Sequence, residues 1–99
     1  MLRMGQILAS YDEIVKYFGD PSIYKGMSKE IDIIWEVPMT NNQNATIYNH
    51  KKSGNPLGYE GIDKHIRTVW NIGGQSKLSV IFIYSMMGTS IDTLKTKLR

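Results

Sequence analysis

Apolar residues near the start of the chain recur at helical spacing. Ile14 and Phe18 lie one turn apart and share a face with Tyr11 and Val15, the arrangement of a helix laid on a sheet. Ser10 and Glu13 open this stretch as an S-x-x-E capping box, in which the serine oxygen accepts an early helix N–H and the glutamate reaches back to the cap. Gly19 suits the left-handed residue that ends a helix, and Pro21 prevents its continuation. The spacing predicts a helix over residues 11–18.

From Glu30 the period changes to two. Ile31, Ile33, Trp35 and Val37 alternate with Asp32, Ile34 and Glu36, the pattern of a strand with one buried face. Pro38 ends it, because proline has no N–H for a sheet ladder. The turn-rich run Thr40-Asn41-Asn42-Gln43-Asn44 leads into a returning strand over 45–50, rich in the β-favouring Thr46, Ile47 and Tyr48. Residues 51–62 contain three glycines and a proline and read as a loop, long for a compact domain and therefore either functional or merely mobile. A third strand is predicted over 66–72, with Ile66, Thr68, Trp70 and Ile72 on one side and Gly73-Gly74 breaking it.

Residues 76–87 carry opposing signals. Val80-Ile81-Phe82-Ile83-Tyr84 favours a strand by propensity, whereas Ser76 as N-cap, Gly88 as stop and the length between them favour a helix. Beyond Gly88, Ile91, Leu94 and Leu98 fall at helical spacing among Lys95, Lys97 and Arg99, either a short amphipathic helix or a frayed basic tail over 89–99. The alternation and spacing aim Ile14, Phe18, Ile33, Trp35, Ile47, Trp70 and Ile72 at one core.

Composition narrows the class. Ninety-nine residues, 41% hydrophobic and 21% charged, suit one globular domain rather than a disordered chain, with an ordered core expected over about residues 7–88. The chain has no cysteine, which removes disulfides, zinc ribbons and thiol nucleophiles together and fits a reducing compartment. The N-terminus lacks the apolar run of a signal peptide. The longest apolar run, Val80 to Tyr84, is far short of the roughly 20 residues that span a bilayer. The formal charge of +3 is uneven: residues 1–50 carry four Lys/Arg against six Asp/Glu, and residues 51–99 carry eight against three. A basic second half can steer an anionic partner or can simply be a solvated surface.

Several short motifs together resemble a known family. They are Tyr11-x-x-Ile14-Val15-x-x-Phe18-Gly19-x-Pro21, then Trp35, then Ala45-Thr46-Ile47-Tyr48-Asn49-x-Lys51, and finally Trp70-Asn71-Ile72-Gly73-Gly74. In these the chain resembles a family of small uncharacterised proteins of tailed phages and large DNA viruses. Members show a helix ending in F-G-x-P, a strand bearing Trp, a T-I-Y-[DN]-x-K strand and a W-H-[IV]-G-G strand end before a helix. Asn71 departs from that pattern, which usually has His. The resemblance implies helix for residues 76–87 and so an α+β fold, α-β-β-β-α, with a three-stranded, mainly antiparallel sheet and flanking helices. It also implies a viral protein acting in the host cell cytoplasm, and no particular activity.

Catalytic chemistry finds little support in the residues. Asp32 and Glu36, four apart on a strand, have α-carbons roughly 13 Å apart at 3.3 Å per residue, too far to act as an acid/base pair on one bond. His50 and His65 lack the partners of a metal site. No G-x-S-x-G nucleophile signature and no carboxylate cluster with lysine in register occurs. No catalytic residue, metal or cofactor is assigned, and a non-enzymatic protein is expected. Two binding surfaces are candidates. One is an interaction surface of Tyr48, His50, Lys51, Lys52, Tyr59, His65 and Arg67 that engages a host or viral protein, with Tyr59 as a loop aromatic of the kind that anchors interfaces. The other is the turn Gly73, Gly74, Gln75, Ser76 and Lys77 between strand and helix. There backbone N–H groups, a helix N-terminus and a lysine could hold a phosphate of a nucleotide or nucleic acid, although the P-loop glycine spacing is missing. No membrane partner is expected.

Overall fold

Residues 3–9, unassigned by pattern, form the strand that completes the sheet. The computed structural model describes residues 3–24, 29–40, 42–51 and 56–88. Along the chain run β1 (Arg3–Ala9), α1 (Tyr11–Phe18), β2 (Ser22–Ile23), β3 (Ile33–Pro38), β4 (Asn44–Tyr48), α2 (Gly58–Gly61), β5 (Thr68–Gly73) and α3 (Leu78–Met87). The five strands form one sheet in the order β1-β5-β4-β3-β2, with every neighbouring pair antiparallel. The α+β class matches the sequence reading; the three-stranded sheet is corrected to five strands.

The register explains the buried face. Trp35 lies opposite Ile47, Ile47 opposite Ile72, and Ile72 opposite Gly5, while Trp70 faces Ile7. This row points to one side, where Ile14 of α1 and Ile83, Tyr84 and Met87 of α3 join it in a single core. Trp35 and Trp70 meet edge to face, ring centres 5.2 Å apart. Each indole N–H finds a carbonyl, Trp70 donating to Ala9 at 2.9 Å and Trp35 to Gly19 at 2.8 Å, so both rings are buried without an orphaned donor. Six of the seven expected core residues are fully buried; Phe18 is half-buried at the margin.

The S-x-x-E box of α1 forms on both sides, with Glu13 N donating to Ser10 Oγ at 3.0 Å and Ser10 N to the Glu13 carboxylate at 3.1 Å. Residues 78–87 are helical, two residues short of the predicted start at 76: Lys77, with no side-chain capping bond, is the N-cap in place of Ser76, while Gly88 ends the helix as expected. Ser76 Oγ accepts from Leu78 N, and Gly88 closes the helix with a left-handed backbone and an N–H donated to Tyr84. The third predicted strand begins two residues late, at Thr68, and Ile66 stands 61% exposed instead of joining the core. The predicted tail lies outside the described residues. Among those residues no helix is long and apolar enough to cross a membrane.

Candidate functional site

One end of the sheet, where β3 and β5 begin and β1 and β4 end, gathers most of the predicted interaction residues. Its frame is a polar knot. Asn49 is fully buried; its Oδ1 accepts from the backbone N–H groups of Asp32 (3.1 Å) and Ile33 (2.9 Å), and its Nδ2 donates to Asp32 Oδ1 at 2.7 Å. Asp32 Oδ2 accepts from Tyr59 N at 3.0 Å and faces Lys51 Nζ at 3.8 Å. The carboxylate therefore pins α2 to the start of β3. Gly58 follows from this closeness: its φ is +64°, and a Cβ there would sit 2.5 Å from Asp32 Oδ2, so a larger residue meets both strain and collision. Asp32, expected on a solvated sheet face, is corrected to a buried carboxylate with its lone pairs engaged.

Residues 62–67 are tied to α1 on the other side. Asp12 N donates to Lys64 O at 3.0 Å, Asp12 and His65 pair at 2.6 Å, and Arg67 forks onto Glu13 with bonds of 2.8 and 3.0 Å. That fork, together with the capping bonds from Ser10, holds the Glu13 carboxyl below its ordinary range. Lys64 Nζ stands 5.0 Å from the Tyr11 ring centre and 5.4 Å from that of Tyr59, within cation–π reach of both. Burial, followed by the neighbouring Tyr59 and Asp20, raises the pKa of the Tyr11 phenol.

Between α2 and this segment runs a groove of about 250 Å³ whose lining includes Leu57, Gly61, Ile62, Ile66 and Thr68. Leu57 is 71% and Ile66 61% exposed, so two large apolar side chains stand free at its edge. The sequence reading missed both. Leu57 reads as one residue of the 51–62 loop and Ile66 as strand core; the only signal available is one apolar residue inside the glycine-rich loop and another just after it.

The predicted interaction residues have different fates. Lys51 and Tyr59 converge on Asp32, and His65 and Arg67 lie along the α1 side, all at this end of the sheet. Tyr59, expected to stand out as an anchor, is half-buried with its ring 6.2 Å from that of Tyr11. His50 is half-buried against Glu30 at 3.4 Å. Tyr48 is buried on the sheet face opposite the core, near the hydrogen bond from Gln6 Nε2 to Asn71 Oδ1, and burial raises its pKa. Lys52 lies outside the described residues.

The Gly73–Lys77 turn sits at the opposite end of the sheet. A Cβ on Gly74 would come within 2.0 Å of Ser79 Oγ, and Ser79 is buried with its hydroxyl toward the Met39 sulfur. The glycine is thus explained by the packing of α3 onto the strand end. Ser76 spends its hydroxyl on Leu78 N and its carbonyl on Ser79 N; Gln75 and Lys77 are exposed. Among the described residues, no group of three or more His, Asp or Glu side chains assembles as a metal site. Comparison of the chain with models of known families, with curated proteins and with solved structures finds no match.

Proposed function

We propose that the protein is a non-enzymatic interaction module that acts by occupying a host or viral protein in the cytoplasm of an infected cell. Its partner seats on the groove at the α2 end of the sheet. The observation that carries this reading is the pair Leu57 and Ile66, exposed on either side of a groove whose backbone is held by Asp32 from one side and by Asp12 and Glu13 from the other. Apolar anchors on a preorganised backbone bind well because little entropy is lost on docking. The setting in an infected cell rests on the motif resemblance alone. The Gly73–Lys77 phosphate reading has less behind it, since Ser79 accounts for the glycine and Ser76 is used within the turn.

The test is capture from nuclease-treated host lysate with the native chain beside a Leu57→Ser/Ile66→Ser double variant, both first shown to unfold at the same denaturant concentration. A specific protein retained by the first and lost by the second is the expected result; equal capture removes the groove from the account. A parallel thermal-shift screen with nucleotides addresses the phosphate reading, since a ligand at 100 times its dissociation constant adds roughly 2.7 kcal/mol of stability. A hydrolytic or transfer activity that survives rigorous purification would overturn both.

A further inference from the structure

The outward face of α3 is a second unusual surface, made of residues that take no part in lining the groove. Its inward residues Ser79, Ile83, Tyr84 and Met87 are buried, with Val80 packed over Gly5 of β1. Outward stand Leu78 (54% exposed), Ile81 (57%) and Met86 (48%), with exposed Ser85 and half-buried Phe82 between them. The whole ten-residue helix carries no Asp, Glu, Lys or Arg. Helix α1 shows the contrast, for its exposed positions include Asp12 and Lys16. A solvated helix normally looks like α1, and an uncharged outward stripe marks a surface meant to be covered.

The ends of α3 indicate what covers it. The first turn has no acid, the last turn has no base, and Lys77 stands exposed at the N-terminal boundary, where it opposes the helix's own partial positive charge. Among the described residues each end of α3 thus lacks its complementary charge, and an antiparallel neighbour brings to the C-terminal end the lysine that is out of place at the N-terminal one. We propose that α3 docks antiparallel against α3 of a second copy of this chain. Pairing centred near Phe82 sets each helix's Leu78 beside the other's Met86 and brings each Lys77 to the other's C-terminal carbonyls. A parallel pairing would set the two lysines side by side.

Sedimentation equilibrium of the full chain over low to high micromolar concentration reads this directly. Ile81→Glu should weaken self-association by about tenfold or more, the effect of charging an interface centre. Lys77→Glu gives the sharper result, because it relieves the mismatch inside one helix while opposing the partner's C-terminus. It should raise the melting temperature of the dilute monomer and weaken dimerisation. The proposal falls if the native chain stays monomeric throughout, or if both variants associate as the native chain does. It falls equally if Ile81→Glu destabilises a monomeric chain, which would mean that the chain covers the stripe itself. Vesicle binding by a monomer, lost in Ile81→Glu, would assign the stripe to a membrane surface instead. The groove variants Leu57→Ser and Ile66→Ser should leave self-association unchanged, keeping this outcome separate from that of the partner capture.

Discussion

At the scale of single residues, the side chain with the largest structural consequence is Asn49. One buried amide closes the start of β3 and orients the carboxylate that holds α2. Asn49→Ala leaves two buried backbone N–H groups and an Asp32 oxygen without their partner, and should cost roughly 2–4 kcal/mol in urea unfolding. Glu13 gives a second residue-scale expectation. The Arg67 hydrogen bond lowers its pKa below the ordinary 4.5, against an upward push from partial burial. A carboxyl lowered in the folded state binds protons more readily when unfolded, so its contribution is complete above the unfolded value and disappears as pH falls through the folded one. Glu13→Gln keeps the capping geometry and removes the charge. At neutral pH it should lose about 0.5–1 kcal/mol, the scale of a partly exposed pair. That deficit should vanish in strong acid, which denaturant titrations at several pH values would check. Neither role announces itself in the sequence: the T-I-Y-N run marked Asn49 as part of a motif, but only the antiparallel register brings it to Asp32.

At the scale of elements, β1 and α3 are built for each other. A Cβ on Gly5 would meet the two methyls of Val80 at 2.8 and 3.2 Å. Gly5→Ala should therefore destabilise by roughly 1–3 kcal/mol through overpacking, and Val80→Ala in the same chain should recover part of that loss. Additive effects in the double-mutant cycle would show that the two residues do not meet. The same closeness explains why β1 escaped the sequence reading. Its inward positions are Gly5, Ile7 and Ala9, a correct period-2 pattern in which Ile7 stands alone between two residues too small to register as apolar. The strand β2 spans only Ser22–Ile23, below what periodicity can detect. Elements with local signatures were legible: the capping box placed α1 and Gly88 marked the end of α3, whereas the β-favouring interior of α3 left the local signals opposed and its assignment as helix rested on the motif resemblance. At the candidate site, legibility stopped at the neighbourhood. The loop stood out by its glycines, but Leu57 and Ile66 become a pair only through the ties to α1 and Asp32, and Ile66 had been read into a strand.

At the scale of the molecule, the sheet is closed by its most distant partners in sequence. The β3–β4 hairpin is local, whereas β1 pairs with β5 across most of the chain, an ordering in which loop-closure cost delays the last step. Removing residues 1–9 uncovers the β5 edge, deletes Ile7 and Ala9 from the core and strips Trp70 of its acceptor. The truncated chain should lose its cooperative thermal transition by circular dichroism; a sharp melt near the native temperature would show that β1 is dispensable. The tryptophan pair carries a last consequence. Both tryptophans of the chain lie in this one contact, contributed by β3 and β5, with rings inclined at 79°. Two indoles so close share their electronic excitation. The folded protein should show a far-ultraviolet couplet and blue-shifted emission, and both should disappear together when β3 and β5 separate. The molecule thus carries its own optical gauge, seated where the two halves of the chain meet, and it can report assembly of the sheet without a dye or label.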